Sequence, residues 1–183
     1  MKLLLMSGSF HSGSKSLAIL NALQGYFPEQ DFELPKLDAL PFYNEDLSAN
    51  LPVSVVALIQ SIKSADGIVV CSPEYNHSIP AVIKNAIDWA SRPAFTSVLK
   101  DKPISIITQA NSPVGGARAQ AHFKLVFDST LSIIQPCHEM MVTDVSKAIN
   151  AQHQVVDEHV AMRLQRHLTE FIDFIARKNL GHL

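Results

Sequence analysis

Residues 7–16 combine the residue types that bind phosphate groups. This Ser-Gly-Ser-Phe-His-Ser-Gly-Ser-Lys-Ser segment holds five serines and two glycines, and it follows an apolar run that predicts a buried strand. A phosphate is bound by hydroxyls and by the free N–H groups that begin a helix, and small residues let it come close. Lys15 and His11 add positive charge. The alternative is a turn with a serine helix cap, but one cap needs only one serine, so we favour a phosphate site.

Other phosphate-binding and catalytic motifs do not occur in the sequence. There is no GxxxxGK followed by Ser or Thr, as in a P-loop NTPase, and Gly8 and Gly13 do not form the GxGxxG of a dinucleotide-binding crevice. The first predicted strand ends in Met6-Ser7, without the carboxylates of a response-regulator receiver, and no GxSxG nucleophile elbow is present. These four classes are therefore unsupported.

Two further segments carry unusual residues directly after apolar runs. Residues 72–80, Ser-Pro-Glu-Tyr-Asn-His-Ser-Ile-Pro, form a loop made rigid by two prolines, and Ser78 is placed to cap the next helix. Tyr75 and Asn76 suit a flat heteroaromatic ligand that needs stacking and edge hydrogen bonds, although an ordinary strand-to-helix turn is the alternative. Residues 111–118 contain a glycine pair, which indicates either close approach to a ligand or a turn with positive φ.

The elements that must position these segments alternate regularly between strands and helices. Buried strands are predicted at 2–6, 32–37, 67–71, 104–108 and 138–143, and helices at 16–27, around 55–62, at 81–91, 119–131 and 157–179. The second helix places its inner face at Val55, Val56, Ile59 and Ile62. This alternation predicts a single domain over 1–183, an α/β three-layer sandwich of the flavodoxin-like type. Its five-stranded parallel sheet has the order 2-1-3-4-5, so the loops after strands 1, 3 and 4 meet at one edge.

Composition excludes several functional classes. The 183 residues carry 15 Lys and Arg against 17 Asp and Glu, a net charge of −2, with no basic run, so nucleic-acid binding is not expected. The first apolar run is too short for a signal peptide or a membrane span, so we expect a cytoplasmic protein without a membrane partner. Cys71 and Cys137 are expected to be reduced thiols, and no metal-site spacing occurs. His153, His159 and His167 are expected on or near the solvent side of the last helix, and Trp89 against a partner subunit.

Several of these strings together resemble one known family. The SPEYNHSIP of 72–80 and the KNAIDW of 84–89, with the serines of 7–14, Ser91-Arg92-Pro93 and the Gly-Gly-Ala-Arg of 115–118, are similar to the NADPH-dependent FMN reductases. The resemblance covers about residues 2–143. It implies a flavodoxin-like fold, bound FMN, NADPH or NADH as the transient electron donor, and a homodimer or homotetramer. The small-molecule acceptor would be a quinone, chromate, an azo dye or free flavin.

The resemblance also assigns cofactor-binding residues. In this reading the FMN phosphate is held by Ser9, His11, Ser14 and Ser16. The ring and the ribityl chain are lined by Pro73, Glu74, Tyr75, Asn76 and Ser78, largely through backbone groups, and closed by Ser112 and Gly115. The family usually has Arg where His11 stands, Asn where Ser16 stands and Gly where Ala81 stands. A histidine loses most of its positive charge above neutral pH, so phosphate affinity should be weaker there than with Arg.

The resemblance implies a ping-pong cycle in which NAD(P)H passes hydride to flavin N5, leaves, and is replaced by the acceptor. The cofactor carries this chemistry, so no catalytic acid, base or nucleophile is assigned. Two other functions remain open at this point. One is an FMN electron carrier without nicotinamide activity, which the modest charge of −2 disfavours because such carriers are usually strongly acidic. The other is a flavin-free binding or regulatory module of the same fold.

Overall fold

A parallel β-sheet forms the centre of the protein. The computed structural model describes residues 1–181, and the strands are β1 (Lys2–Ser7), β2 (Asp31–Glu33), β3 (Gly67–Pro73), β4 (Pro103–Gln109), β5 (Ile133–Ile134) and β6 (Met140–Val142). They lie in the order β2-β1-β3-β4-β5, and β6 also pairs with β4. Every one of these pairings is parallel, which confirms the predicted strand order and the flavodoxin-like fold.

Helices cover both faces of the sheet. They are α1 (Lys15–Tyr26), α2 (Val53–Ser64), α3 (Ala81–Ala90), α4 (Ala117–Ser129), α5 (Val145–Ala148) and α6 (Glu158–Asn179). One core cluster joins the sheet to α1, α5 and α6, and the other joins it to α2, α3 and α4. All residues of β3 and β4 are buried, because both faces of a central parallel strand lie under helices.

The fifth position of the sheet is divided between two short strands. The sequence predicts one strand at 138–143, whereas β5 pairs with the start of β4 at Pro103 and Ile104, and β6 pairs with its end at 107–109. Pro136 lies between the two and has no backbone N–H to donate to a neighbouring strand. A two-residue strand such as β5 has too little periodic pattern for prediction from sequence.

Three other local predictions need correction. The second strand ends at Glu33 rather than at residue 37, and Leu37 instead begins a short 3-10 turn. On α2, Val55 and Ile62 are buried as predicted, but the third buried residue is Leu58, while Val56 is 42 % exposed and Ile59 is only half-buried. On α6 the periodic pattern predicts an inner face of Val160, Leu164, Leu168, Phe171, Ile172 and Ile175, and it misses two buried side chains, His167 and Phe174.

Two aromatic residues expected at surfaces are buried within the chain. His167 is 3 % exposed, and its Nε2 lies 2.7 Å from the Ser105 hydroxyl of β4. Burial, followed by the charges of Arg166 and Arg163, lowers the pKa of His167 to about 4. Trp89 is 1 % exposed, and its indole N–H donates to the Pro41 carbonyl at 2.8 Å, so its own chain covers it without a partner.

Among residues 1–181, no helix is long and apolar enough to cross a membrane. The same residues contain no group of three or more His, Cys, Asp or Glu side chains arranged to hold a metal ion.

Candidate functional site

Three loops meet at the carboxyl edge of the sheet. We call them loop 1 (residues 8–14), loop 2 (74–80) and loop 3 (110–116), and they follow β1, β3 and β4 in turn. The ends of these strands are neighbours, because Ser7 pairs with Cys71 and Pro73 pairs with Gln109. The predicted convergence of the three segments is therefore present in the fold.

Loop 1 is folded back on itself by serine hydroxyls. The Ser9 carbonyl accepts hydrogen bonds from the Ser7 hydroxyl at 2.6 Å and the Ser14 hydroxyl at 3.1 Å. The Ser14 oxygen also accepts from the Leu17 N–H at 3.2 Å and so caps α1. Ser14 is thus the helix cap, and its hydroxyl and that of Ser7 together hold the loop backbone at Ser9.

The outer part of loop 1 leads into the start of α1. The N–H groups of Lys15 and Ser16, in the first helical turn, have no acceptor within the helix. His11 is exposed, and its Nδ1 accepts the Gly13 N–H at 3.1 Å, which leaves Nε2 as the ring donor. The Lys15 ammonium group instead donates to the Ile149 carbonyl at 3.3 Å, so this charge is used to hold the segment after α5.

Ser16 faces the interior rather than loop 1. Its side chain is completely buried, and its hydroxyl accepts a hydrogen bond of 3.2 Å from the side-chain amide of Gln109 at the end of β4. Burial raises the pKa of the neighbouring Cys71 thiol to about 12, although a hydrogen bond from Ser16 acts in the opposite direction. Cys71 is therefore a protonated thiol at neutral pH, as expected for a buried cysteine.

Gly8 holds loops 1 and 2 close together. A Cβ at this position would lie 2.1 Å from the Ser72 hydroxyl oxygen, and the Gly8 N–H donates to the Cys71 carbonyl at 2.8 Å. The small residue is therefore required by contact with the chain itself. This is a different reason from the approach of a ligand, which the sequence indicated.

Loop 2 contains a tight turn that presents Tyr75. Tyr75 and Ser78 exchange two backbone hydrogen bonds of 3.0 and 2.9 Å, and Asn76 and His77 between them have φ values of 49° and 64°. This is the two-residue turn with both central residues at positive φ. The Tyr75 side chain is 49 % exposed beside the sheet edge. Its ring is thus available to a ligand.

Ser78 does not cap α3, contrary to the sequence expectation. The helix begins after Pro80, and its cap position makes no side-chain hydrogen bond. The Ser78 hydroxyl lies instead 2.9 Å from Nδ1 of His122 on α4. The two prolines that fix the loop leave the hydroxyl directed across to the neighbouring helix.

The Glu74 side chain connects loop 2 to the start of α4. One carboxylate oxygen accepts the N–H groups of Arg118 at 2.9 Å and Ala119 at 3.2 Å, and the other accepts from the Arg118 guanidinium at 3.3 Å. Burial would raise the pKa of Glu74, but these hydrogen bonds outweigh it and hold the pKa below its usual range. Its carboxylate is therefore occupied, and only its backbone remains for a ligand.

Loop 3 depends on both of its glycines. Gly115 and Gly116 have φ values of 62° and 84°, in the left-handed region. A Cβ on Gly116 would lie 2.9 Å from Cβ of Thr108, and the Thr108 hydroxyl donates to the Gly115 carbonyl at 3.0 Å. The interpretation as a turn with positive φ is therefore confirmed, and the close approach at Gly116 is to Thr108 of the chain itself. The Ser112 carbonyl accepts the Gly115 N–H at 3.3 Å.

Three polar residues at this edge were not assigned from the sequence. Gln109, Arg118 and His122 contact Ser16, Glu74 and Ser78 respectively. A polar residue at the carboxyl end of an otherwise buried strand was the available signal for Gln109. For the two α4 residues, helix position alone does not indicate which loop they contact.

The fold and this edge define a flavodoxin-like α/β protein with loops suited to a mononucleotide. The family model of NADPH-dependent FMN reductases matches residues 1–147. An NAD(P)H-dependent FMN reductase of Pseudomonas aeruginosa is 36 % identical over 171 residues, 91 % of each chain. A quinone reductase of Escherichia coli is 34 % identical over 177 residues, 93 % of each chain.

A solved structure shows the same relationship. FerB, a flavoenzyme NAD(P)H:acceptor oxidoreductase from Paracoccus denitrificans, is 33 % identical, with a TM-score of 0.88 over 96 % of this chain and 97 % of that one. The chain therefore belongs to the NADPH-dependent FMN reductase family, whose cofactor is FMN and whose electron donor is NAD(P)H. It is an oxidoreductase.

The donor set of loop 1 fits the phosphate of FMN. Residues 7–16 contain no Asp or Glu, so no carboxylate repels an anion there. The N–H groups of Lys15 and Ser16 and the ring of His11 supply donors at the start of a twelve-residue helix, whose dipole favours negative charge. The residues present therefore match the group that the family implies.

Proposed function

We propose that the chain transfers reducing equivalents from NADPH or NADH to a small acceptor, with quinones as the leading class. The balanced reaction is NAD(P)H plus a proton plus quinone, giving NAD(P)+ and hydroquinone. The observation that carries the proposal is the convergence of loops 1, 2 and 3 at one sheet edge, with Tyr75 half-exposed beside them. The quinone reductase of Escherichia coli among its relatives supports the acceptor class.

Loop 1 and the first turn of α1 would hold the FMN phosphate. Ser9, His11 and Ser14 shape or line this loop, and Ser16 contributes its backbone N–H because its hydroxyl is occupied. In loops 2 and 3 the ring side would be lined by backbone groups of Pro73, Glu74, Tyr75, Asn76 and Ser78 and closed by Ser112 and Gly115. FMN supplies the two-electron chemistry when bound, and the protein supplies position and hydrogen bonds.

The donor and the acceptor would use the same space in turn, in a ping-pong cycle. Backbone N–H groups can stabilise negative charge on a reduced ring without a side-chain acid. The carboxylate of Glu74 is bonded to Arg118 and Ala119, so it is not free to move a proton. We therefore assign no catalytic acid or base to the reaction.

The proposal is tested on FMN-loaded protein without oxygen. Addition of NADPH should bleach the visible flavin band, and later addition of benzoquinone should restore it. Initial rates measured at several fixed benzoquinone concentrations should give parallel double-reciprocal lines. Intersecting lines would show a sequential mechanism and contradict the ping-pong cycle.

The other two functions make different predictions in the same experiment. A flavin band that neither NADPH nor NADH bleaches would support a one-electron carrier. Absence of any protein-bound flavin would support a binding module. Ser9→Ala with Ser14→Ala should weaken FMN binding by well over tenfold, that is by more than about 1.4 kcal/mol, and unchanged affinity would contradict the phosphate assignment.

We further propose that the chain is a single cytoplasmic domain that forms a homodimer or homotetramer. Phe42 and Val53, at one end of the α2 region, are 80 % and 86 % exposed, which suits contact between subunits. Sedimentation of the FMN-loaded protein at micromolar concentration should give the mass of a dimer or tetramer. A monomer under these conditions would contradict this part of the proposal.

A further inference from the structure

Beneath loop 1, a buried hydrogen bond joins the end of β4 to the start of α1, two elements that are far apart in the sequence. The Gln109 side-chain amide, at the last residue of β4, donates to the Ser16 hydroxyl at 3.2 Å. Gln109 is 6 % exposed and Ser16 is fully buried. Breaking such a bond lowers the free energy of unfolding by about 1–3 kcal/mol, because it leaves a buried polar group without a partner.

The bond acts at the part of α1 that would face a phosphate. Ser16 is the second residue of the helix, and its backbone N–H and that of Lys15 are free of helical acceptors. Ser14, two residues earlier, caps the helix through its own hydroxyl. Since Ser16 cannot shift without moving these N–H groups, the Gln109 amide fixes their direction.

We propose that Gln109 is a positioning residue for the FMN phosphate. It touches neither phosphate nor ring in this scheme, and acts by holding Ser16 and the first turn of α1 in place. The inference rests on the proposed function, because it assumes that FMN binds with its phosphate at loop 1. It adds a residue from β4 to a site otherwise described by three loops.

The test compares two ligands that differ only in the phosphate, FMN and riboflavin. In Gln109→Leu, the FMN dissociation constant should rise about tenfold, equal to about 1.4 kcal/mol, while that of riboflavin stays within twofold. Ser16→Ala should have the same effect. The exchange variant Ser16→Gln with Gln109→Ser keeps an amide–hydroxyl pair of the same total length and should recover FMN affinity to within threefold of the wild type.

Gln135→Leu is the matched control for loss of a buried glutamine. Gln135 is 5 % exposed, but it follows β5 and donates to the His167 carbonyl, away from the three loops. It should change the melting temperature without changing the ratio of FMN to riboflavin affinity. If Gln109→Leu does not fold, the milder substitution Gln109→Ser replaces it, and its ligand affinities are compared with those of the exchange variant.

A failure of the proposed function and a failure of the positioning role of Gln109 give different results. If the wild type binds FMN no more tightly than riboflavin, the phosphate site of the proposed function is wrong. If the wild type prefers FMN but Gln109→Leu and Ser16→Ala keep that preference, the positioning role is wrong. Equal weakening of both ligands, or no recovery in the exchange variant, also overturns the role of Gln109.

Discussion

The carboxylate of Glu74 accepts a hydrogen bond of 2.9 Å from the backbone N–H of Arg118. Because Glu74 lies in loop 2 and Arg118 in the first turn of α4, this bond ties loop 2 to the helix that directly follows loop 3. A carboxylate at a helix N-terminus also interacts favourably with the helix dipole. The residue that looks like a ligand contact in the sequence is therefore a link within the protein.

Glu74→Gln should destabilise the fold at neutral pH by about 1–2 kcal/mol, because the charged cap of α4 is lost. The pKa of Glu74 is lowered in the folded protein, so its stabilising effect is present above the pKa of an unfolded carboxyl. The effect is lost as pH falls through the lower folded pKa. Denaturant unfolding at pH 7 and near pH 3 should show the difference between variant and wild type shrinking in acid.

Glu139→Gln is the control for this prediction. Its ion pair with Lys124 has both side chains more than 40 % exposed, so removing it should cost at most about 0.5 kcal/mol. A Glu74→Gln variant no less stable than Glu139→Gln at pH 7 would contradict the role of the cap.

His167 should make the fold sensitive to mild acid. Its pKa is lowered to about 4 by burial, from an ordinary value of 6.5, so the unfolded chain binds a proton more readily than the folded chain. Stability due to this difference is complete above pH 6.5 and is lost as pH falls toward 4, by up to about 3 kcal/mol. Urea midpoints at pH 7.5 and 5 would measure the loss.

Replacement of His167 should flatten this pH dependence. His167→Gln keeps a hydrogen-bonding side chain near Ser105 but does not titrate, whereas His159→Gln changes an exposed residue on the same helix. The first variant should lose less stability between pH 7.5 and 5 than the wild type, and the second should behave like the wild type. Identical pH profiles for all three proteins would refute the prediction.

His11→Arg should strengthen FMN binding at pH 8. A permanent guanidinium charge makes stronger hydrogen bonds to a phosphate than an imidazole does, so we expect a roughly three- to tenfold lower dissociation constant. Flavin fluorescence titration measures it, and riboflavin, which has no phosphate, serves as the control ligand. An unchanged FMN constant would place the His11 side chain away from the phosphate.

Gly116→Ala should destabilise the protein by about 1–3 kcal/mol, because a Cβ is strained at φ 84° and would meet Thr108. Gly25→Ala is the matched substitution in α1, where a new Cβ has nothing within 4 Å. It should stabilise the helix by about 0.5–1 kcal/mol. Thermal melts of both variants would compare them, and equal effects would mean that backbone strain at Gly116 is unimportant.

The strand order and the meeting of three loops at one sheet edge could be predicted from the sequence. Runs such as residues 67–71 are apolar along their whole length, which is typical of strands buried on both faces, and their alternation with helices leaves few topologies. Because the strands are parallel, the loops that follow them lie at the same edge of the sheet. Residue types in 7–16 and 72–80 then indicated the chemistry of that edge.

Only the tertiary structure decided which polar group pairs with which. Gln109 and Ser16 are 93 positions apart, and Glu74 and Arg118 are 44 apart, so no local pattern relates them. His167 lies three residues after Leu164 and four before Phe171, so its helical spacing agrees with burial, but its partner Ser105 of β4 cannot be read from that spacing. Local periodicity determines which face of an element turns inward, whereas a hydrogen bond depends on the distance between two side chains after the elements have packed.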